Sequence, residues 1–420
     1  MIPTSVLDPG TLGPAAPGPA GTPAATWRRN QFAVTAASFV GFTGFTLVMP
    51  FLPLYIGQLG VTDVGEIAVW TGLCLGITPA VTAVLSPVWG RVADRFGRKL
   101  LVERSLVSFV VIMAATAYAT RPWHVFALRT VQGLFAGYGG LTLAMAAESA
   151  PRDRMASAIG TVQTAQRLGP ALGPVIGGGI AGMVGLRNAF FVTAGFYAAA
   201  FLVVLVFYHE PAAAPASRAR AHGAPTFRGV LSLENFGLLM AVLFGLQYAD
   251  RSLGPVLPLH VGALGVPTGR VALVSGVFFS LVAGAAALGH HLCGRFIARM
   301  SARRIIIAAG VLAAVASAGL AATSNLVLLG LSLAAFGVGI GAAMTAAYTA
   351  AGLVVPEGAH GTAFGLLTGA SLTGMAVTPI LTGFLAVASI RTVFVLDVVT
   401  LAALAIAVRR SMKVSRSVSE

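Results

Sequence analysis

Long apolar stretches recur along the whole chain, separated by short polar connections. Only 10% of the 420 residues are charged, whereas a soluble domain has about a quarter. A helix that crosses a bilayer needs about 20 apolar residues. The predicted helices span residues 31–56, 67–90, 100–119, 123–147, 157–182, 187–208, 234–259, 271–293, 304–322, 326–350, 361–387 and 391–408. The sequence therefore predicts an all-α polytopic membrane protein with 12 transmembrane helices.

Proline and glycine positions repeat between the two halves of the chain. Pro50 and Pro53 recur 205 residues later as Pro255 and Pro258. Other residues that recur at an offset of 204 or 205 are Gly90, Arg91, Arg95, Pro151, Gly160, Gly169, Pro174 and Gly178. Transporters built from such repeats place the substrate between two similar bundles, near the bilayer midplane. We therefore expect two six-helix bundles with a site between them.

Basic residues divide unequally between the two sides of the membrane. With the N-terminus inside, 20 of the 27 Lys and Arg residues lie on the cytoplasmic side, four lie opposite and three lie within helices. Cytoplasmic loops carry such an excess of positive charge, so both termini are expected in the cytoplasm. The net charge of +14 comes without an aromatic-basic groove, so no nucleic-acid partner is expected. The expected segments are a disordered N-terminal tail over 1–30, bundles over 31–208 and 233–410, a cytoplasmic linker over 209–232 and a tail over 411–420.

The connection between the second and third predicted helices concentrates five charges in ten residues. Its glycines permit tight turns, its aspartate can accept hydrogen bonds at a helix N-terminus, and its arginines can pair with carboxylates. The pattern G-x-x-x-D-R-x-G-R-K resembles the loop of major facilitator superfamily transporters that latches the cytoplasmic side closed. A simple topology-setting charge cluster is the alternative. The residues concerned are Gly90, Asp94, Arg95, Gly97 and Arg98.

The fourth predicted helix contains Arg129 and Gln132, three residues apart. An arginine within an apolar helix costs roughly 2.5–3.5 kcal/mol on insertion scales, so it faces protein or a water cavity unless it snorkels to the membrane surface. The pattern R-x-x-Q-G resembles a second motif of the same superfamily. The resemblance implies that these residues take part in proton coupling or orient the first helix.

The fifth predicted helix has glycines at every fourth position, a spacing that gives a neighbouring helix a smooth groove. Two prolines remove backbone donors and bend the helix. The pattern G-x-x-x-G-P-x-x-G-G resembles the antiporter motif of drug:proton exporters, and ordinary small-residue packing is the alternative. The motif residues are Gly169, Pro170, Gly173, Pro174, Gly177 and Gly178.

Acidic residues are rare within the predicted helices, and the first helix has none. Asp250 lies in the seventh helix beside Arg251, and a carboxyl group in a membrane is by default a functional-site hypothesis. We expect Asp250 to exchange the coupling proton, with an ion pair that braces helices as the alternative. Asp397 in the last helix is expected to be peripheral.

Aromatic and polar side chains near the expected site suit an amphipathic or lipophilic compound. The candidates for a substrate cavity are Phe42, Phe45, Phe51, Tyr55, Tyr138, Gln163, Arg167, Phe244, Gln247, Tyr248 and Phe278.

The resemblance as a whole implies the major facilitator fold and a monomeric efflux transporter of the bacterial inner membrane. We expect it to exchange protons for small lipophilic molecules by alternating access. An exporter or importer of one metabolite, such as a sugar or siderophore, is the alternative. The partners expected are the substrate, protons and the lipid bilayer. No catalytic constellation, nucleotide-binding motif or metal-ligand spacing is present in the sequence, so neither an enzyme nor a cofactor is expected.

Overall fold

The computed structural model of the protein describes residues 24–151, 154–209, 229, 231–297, 299–355 and 360–413. The rest of the predicted N-terminal tail, nearly all of the linker over 209–232 and the last seven residues lie outside the described residues. Within the described ranges, every extended regular element is a helix and no β-strand occurs.

The helices follow the predicted boundaries to within a few residues, except at the start of the first and at the end of the second, which continues past its predicted end at residue 90 to Phe96. Helix α1 begins at Ala24, inside the segment that the sequence predicted as a tail. The helices are α1 (Ala24–Leu47), α2 (Leu52–Gln58), α3 (Val64–Phe96), α4 (Arg98–Ala117), α5 (Pro122–Phe135), α6 (Tyr138–Ser149), α7 (Met155–Val184), α8 (Leu186–Phe207), α9 (Phe236–Ala263), α10 (Thr268–Phe296), α11 (Ala302–Ala322), α12 (Leu326–Val354), α13 (His360–Ala386) and α14 (Ile390–Ser411).

Two of the predicted helices are interrupted, which the sequence did not predict. Helices α1 and α2 make one pass that bends by 47°, and Pro50 lies in the bend, where it has no N–H to donate. Helices α5 and α6 make another pass. The break between them lies at Gly137, whose φ of 109° belongs to the left-handed region.

Eight of the described helices are long and apolar enough to cross a membrane, or nine if the bent α1–α2 pair counts as one span. The other passes are the broken α5–α6 pair, α7 and α9. Polar and charged side chains lower the apolarity of these helices, as is typical of helices that face the inside of a bundle.

Buried apolar side chains form two separate clusters, one in each half of the chain. The cluster of α1–α8 takes in one residue from the other half, Ala272, and the cluster of α9–α14 takes in Ala68. The fold is therefore two six-pass helical bundles that meet at an interface.

Successive passes run in opposite directions, so the connections alternate between two ends of the molecule. We call the end with the α3–α4 connection at Gly97 the charged end. His209 and Asn30 also meet there, through hydrogen bonds of 2.7 and 2.9 Å between the asparagine side chain and the histidine backbone. Asn235 and Lys413 join the two ends of the second bundle on the same side, with two bonds of 3.0 Å. The other end is called the opposite end.

The two bundles contact each other through α3 with α13 and through α7 with α10. A Cβ atom on Gly72 would overlap the carbonyl oxygen of Pro379, and one on Gly276 would overlap that of Pro174. Gly72 and Gly276 are 204 residues apart, and Pro174 and Pro379 are 205 apart. The two contacts are therefore the same contact in each copy of the repeat, which confirms the internal symmetry predicted from the sequence.

These contacts lie in the half of the molecule next to the opposite end. There a Cβ on Gly65 would lie 2.9 Å from the Cα of Val387. In the half next to the charged end, added Cβ atoms on Gly160, Gly284 and Gly294 would have no described neighbour within 4 Å. The described glycine contacts between the bundles therefore close the interface in the half next to the opposite end.

Candidate functional site

A small pocket lies between the bundles at the closed part of the interface. Its volume is about 30 Å³, which is room for about one or two water molecules, whereas drug-sized ligands occupy sites of about 300–1,000 Å³. In this state the pocket is therefore too narrow for a substrate. Its lining comes from α1, α3 and α5 of the first bundle and from α9 and α13 of the second: Phe45, Met49, Cys74, Leu75, Thr78, Pro79, Arg129, Arg251, Gly254, Met375 and Pro379.

Arg129 reaches this pocket from inside the first bundle and is only 4% exposed. Its Nη1 donates to Oε1 of Gln132 over 3.0 Å, and its own carbonyl accepts from Thr78 Oγ1 over 2.8 Å. The side chain does not snorkel to the surface. The arginine and glutamine that the sequence singled out bind each other, and they place a guanidinium at the contact between the bundles.

Asp250 and Arg251 contact each other although they are neighbours along α9. Nε of Arg251 lies 3.3 Å from Oδ2 of Asp250, and their side chains are 31% and 24% exposed, respectively. Helical geometry does not favour contact between adjacent residues, but two long side chains that bend toward the same space can meet. Arg251 also lines the pocket, so the pair lies beside the contact between the bundles.

His290 adds a titratable group near this pair. It lies within electrostatic range of both Arg167 and Asp250, and its Nδ1 is 2.7 Å from Thr345 Oγ1. The sequence gave no reason to select it, because its neighbours come from other helices. Charged and titratable residues of α7, α9 and α10 thus lie within electrostatic range of one another.

The glycines of α7 allow α1 to approach very closely. Cβ atoms on Gly169 and Gly173 would lie 2.8 Å from Thr43 N and 2.7 Å from Thr43 O, respectively, and one on Gly177 would overlap Leu47 O. Gly178 faces the other way and contacts Ala272 of α10. The motif therefore packs α7 on α1 within its bundle and on α10 across the interface.

The charged connection at the end of α3 turns at Gly97, whose φ is 94°. Arg98 forms an ion pair with Glu148 at the end of α6, and Nζ of Lys99 donates to Tyr208 O over 2.8 Å. The guanidinium of Arg95 lies 5.2 Å from the ring centre of Phe96. The connection is therefore tied to its own bundle. Gly90 lies within α3, and the side chain of Asp94 lies outside the described part of the structure.

The break between α5 and α6 is stabilised by side chains from α3 and α4. Trp89 Nε1 donates to Leu134 O over 2.7 Å, and Arg104 Nη2 donates to Phe135 O over 3.2 Å. The guanidinium of Arg104 stacks on Trp89, 3.6 Å from its ring centre. A cation at a helix C-terminus also opposes the negative end of the helix dipole. Sequence reasoning missed this cluster because its members are far apart in the chain.

The predicted cavity residues fall into separate groups. Tyr55 lies in the core of the first bundle, where its hydroxyl donates to Thr116 O over 2.7 Å, and Phe42 packs on Tyr138 with ring centres 5.4 Å apart. Phe51 and Phe278 lie in the cores of the first and second bundles, respectively, and Gln247 and Tyr248 are buried.

The other predicted cavity residues lie at different places. Phe45 lines the pocket, and Phe244 and Gln247 pack against Gly374. Gln163 and Arg167 are exposed on α7.

A larger groove runs between α1 and α7 toward the charged end. Its volume is about 520 Å³, and its lining is Phe32, Thr35, Ala36, Phe39, Thr161, Thr164, Ala165 and Leu168. Thr161 and Thr164 donate to carbonyls of their own helix, each over 2.9 Å. The hydroxyls are therefore already bonded, and the groove presents a mostly apolar surface of drug-sized volume.

A family model of the Major Facilitator Superfamily matches residues 34–366 and 239–420 of the chain. The chain belongs to this superfamily. The predicted fold is confirmed, since membership and the two six-pass bundles agree. As a superfamily member the protein is a membrane transport protein and not an enzyme.

Curated relatives within the superfamily cover two thirds of the chain. The multidrug resistance protein MdtG of Serratia proteamaculans is 34% identical over 281 residues, which are 67% of this chain and 68% of that protein. A homologue of the multi-drug resistance efflux pump PmrA from Lactococcus lactis is 32% identical over 288 residues, which are 68% of this chain and 70% of that protein.

Solved superfamily structures share the fold at much lower identity. A bacterial homologue of the human lysosomal transporter Spinster, in an inward-facing and unoccupied conformation, superposes with a TM-score of 0.76 at 16% identity. The superposition covers 94% of this chain and 100% of the Spinster homologue. The nucleoside transporter NupG superposes with a TM-score of 0.71 at 16% identity, over 91% of this chain and 100% of NupG.

Proposed function

We propose that this protein exports lipophilic or amphipathic compounds across the bacterial inner membrane, by alternating access and in exchange for protons. The relatives named for multidrug resistance and efflux support the substrate class. The apolar groove between α1 and α7 supports it independently, because a drug-sized space without a charged lining favours apolar molecules.

The arrangement of the two bundles carries this proposal. The described glycine contacts between them all lie in the half next to the opposite end, and we infer that a cleft separates them toward the charged end. The charged end holds the excess of Lys and Arg residues, so it is the cytoplasmic end under the positive-inside rule. The described state then faces inward, and both termini are cytoplasmic. A compound reaches the groove from the cytoplasm, as export requires.

Asp250 is the proposed site of proton exchange. It lies at the edge of the pocket, contacts Arg251 and is partly open to the cleft. Competition between a proton and Arg251 for the carboxylate would link protonation to the contact between the bundles. Arg129 and Gln132 act on the same pocket from the first bundle. The motif at the end of α3, with Asp94 as its acid, is the proposed latch for the state that faces outward.

The proposal predicts that Asp250→Asn stops proton-driven export. In everted membrane vesicles with an acid interior, the initial rate of ethidium uptake should fall at least about tenfold, equivalent to a barrier about 1.4 kcal/mol higher. The matched control is Glu234→Gln, which removes an exposed carboxylate that pairs with Lys413 at the charged end. This control should retain the wild-type rate.

Each arm of this experiment can contradict the proposal. Gradient-dependent uptake at the wild-type rate by the Asp250→Asn variant would remove Asp250 from the coupling role. If wild-type vesicles accumulate neither ethidium nor a panel of neutral lipophilic dyes, but do move a sugar or a siderophore, the alternative of a single-metabolite transporter holds instead.

A further inference from the structure

Asp397 is a fully buried acid in the middle of α14, the last helix. Its Oδ2 lies 2.6 Å from Ser252 Oγ on α9, and its Oδ1 has no hydrogen-bond partner in the described part of the structure. The sequence predicted that this residue is peripheral to the transport pathway. The structure buries it against α9 at Ser252, which follows Asp250 and Arg251 in the chain.

The single hydroxyl proton of Ser252 constrains the protonation state of Asp397. Ser252 Oγ lies 2.6 Å from the carboxyl oxygen and also 2.9 Å from the carbonyl oxygen of Ala249. A serine hydroxyl has one proton to donate and two lone pairs to accept with. Both contacts are full hydrogen bonds only if Ser252 donates to Ala249 and a protonated Asp397 donates to Ser252.

No cation compensates an ionised Asp397 among the described residues. Helix α14 packs on α9, α11 and α13. No basic side chain of these helices is within 4.0 Å of the carboxyl group. The titratable and charged groups of α9, α11, α13 and α14 are Tyr248, Asp250, Arg251, His260, Arg303, Arg304, His360, Arg391, Arg409 and Arg410. Arg251 pairs with Asp250, the cations of α11 lie in its first turn, and those of α14 lie near its ends. A buried charge without a partner is very costly, so the protonated form fits the site.

We propose that Asp397 is a proton-binding site of this transporter, separate from Asp250, and that its proton holds α9 against α14 in the described state. The role in transport rests on the proposed function, proton-driven export. Loss of the proton to water would turn the Ser252 hydroxyl from acceptor to donor, at the expense of its bond to Ala249 O, and leave an uncompensated anion beside α9. Helix α9 carries Asp250 and Arg251, so protonation of Asp397 controls the position of the pair at the pocket.

Infrared spectroscopy of the purified full chain in lipid tests the protonation directly. At neutral pH the wild type should show a carbonyl stretch of a protonated carboxyl group that shifts in D₂O. Asp397→Asn should lack this band. Ser252→Ala should retain the band at a higher frequency, because the acceptor of the acid proton is gone. Asp250→Asn and Glu234→Gln serve as controls, and the band should persist in both. Identical carboxyl spectra of the wild type and Asp397→Asn would overturn the proposal.

Measurements of transport then show whether the proton on Asp397 takes part in the transport cycle or only stabilises the structure. In everted vesicles, ethidium uptake by Asp397→Asn should be at least about tenfold slower than wild type, while Asp397→Glu, which can still bind a proton, should recover most of the rate. Uptake by Asp397→Asn at the wild-type rate, with the band lost, would refute the role in transport. If the proposed function is wrong, the result is different: ethidium uptake by wild-type vesicles does not respond to a proton gradient, while the carboxyl band of Asp397 remains.

Discussion

Arg104 shows how one side chain can make an irregular helix possible inside a membrane protein. The last turn of α5 leaves carbonyl groups without intrahelical partners, and in a bilayer such groups must be satisfied by protein. Arg104 and Trp89 donate to two of them, and the guanidinium lies flat on the indole ring. The planar shape of arginine serves both contacts at once.

We expect Arg104→Lys to destabilise the protein although it keeps the charge. An ammonium group cannot stack on Trp89 and donate to Phe135 O in the same geometry. The loss should be about 1–2 kcal/mol, seen as a lower Tm of the purified protein. The control is Arg121→Lys, an exposed arginine at the opposite end, whose Tm should not change. An equal Tm for both variants would show that the stacked geometry contributes little.

Single residues could be predicted from the sequence only where the residue type was itself exceptional. Arg129 was expected to face protein because an arginine in an apolar helix has few alternatives, and the structure confirms this. Asp397 is equally exceptional, yet its position in the last helix suggested the periphery. The face that α14 presents to α9 is decided by packing, and the sequence alone does not reveal it.

Helix α7 packs mainly on α1 and α10, and its glycines differ in what they contact. Gly177 meets the backbone of α1 at Leu47, whereas the nearest atom to an added Cβ on Gly179 is 4.0 Å away, at Leu273 Cδ1. Backbone cannot move aside as a flexible side chain can. The two positions are two residues apart on one helix and form a matched pair.

Gly177→Ala should therefore cost about 1–3 kcal/mol of stability, typical of overpacking. Its Tm and its rate of ethidium uptake should both fall. Gly179→Ala should behave like the wild type in both measurements. If the two variants have the same Tm, the close approach of α1 and α7 does not limit stability.

The helices themselves were predictable, but their interruptions were not. Apolar length set the twelve passes, and the observed ends lie within a few residues of most predicted ends. The break at Gly137 depends on hydrogen bonds from α3 and α4, which no local pattern in α5 or α6 contains. Helix α1 bends at a proline that the sequence showed, but Pro258 and Pro379 lie inside helices that continue. Proline alone does not indicate where a helix stops.

The closed end of the interface can be locked by a disulfide between the bundles. An added Cβ on Gly65 would lie 3.4 Å from the Cβ of Val387, close to the separation of about 3.5–4.5 Å in disulfides. We expect Gly65→Cys with Val387→Cys, in a background where Cys74 and Cys293 are alanine, to lose transport under oxidant. A reductant should restore it, because the opposite end must open in each cycle.

The two single-cysteine variants are the controls for this lock. Each should transport at the same rate with and without oxidant. If the double variant forms its disulfide, as a mobility shift on a denaturing gel would show, and still transports, then the opposite end does not need to separate.

The repeat made the arrangement of the whole molecule predictable, since equal offsets of prolines and glycines implied two equivalent bundles. The sequence does not indicate which half of the interface between the bundles is in contact. Two states of one transporter have the same sequence and differ only in which half of the interface is in contact. The groove between α1 and α7 lies within the first bundle and is formed by the packing of these helices, so the sequence identified aromatic residues without indicating which of them line a space.

The paired glycine contacts at Gly72 and Gly276 have a mechanical consequence. Each presents bare backbone to a carbonyl of the other bundle, beside a proline that has no N–H. At these two points backbone meets backbone, so one helix can roll on the other there without a rotamer change at the point of contact. The two contacts are equivalent under the repeat, and the line that joins them defines an axis through the protein. A motion about that axis keeps both contacts while it opens one end and closes the other.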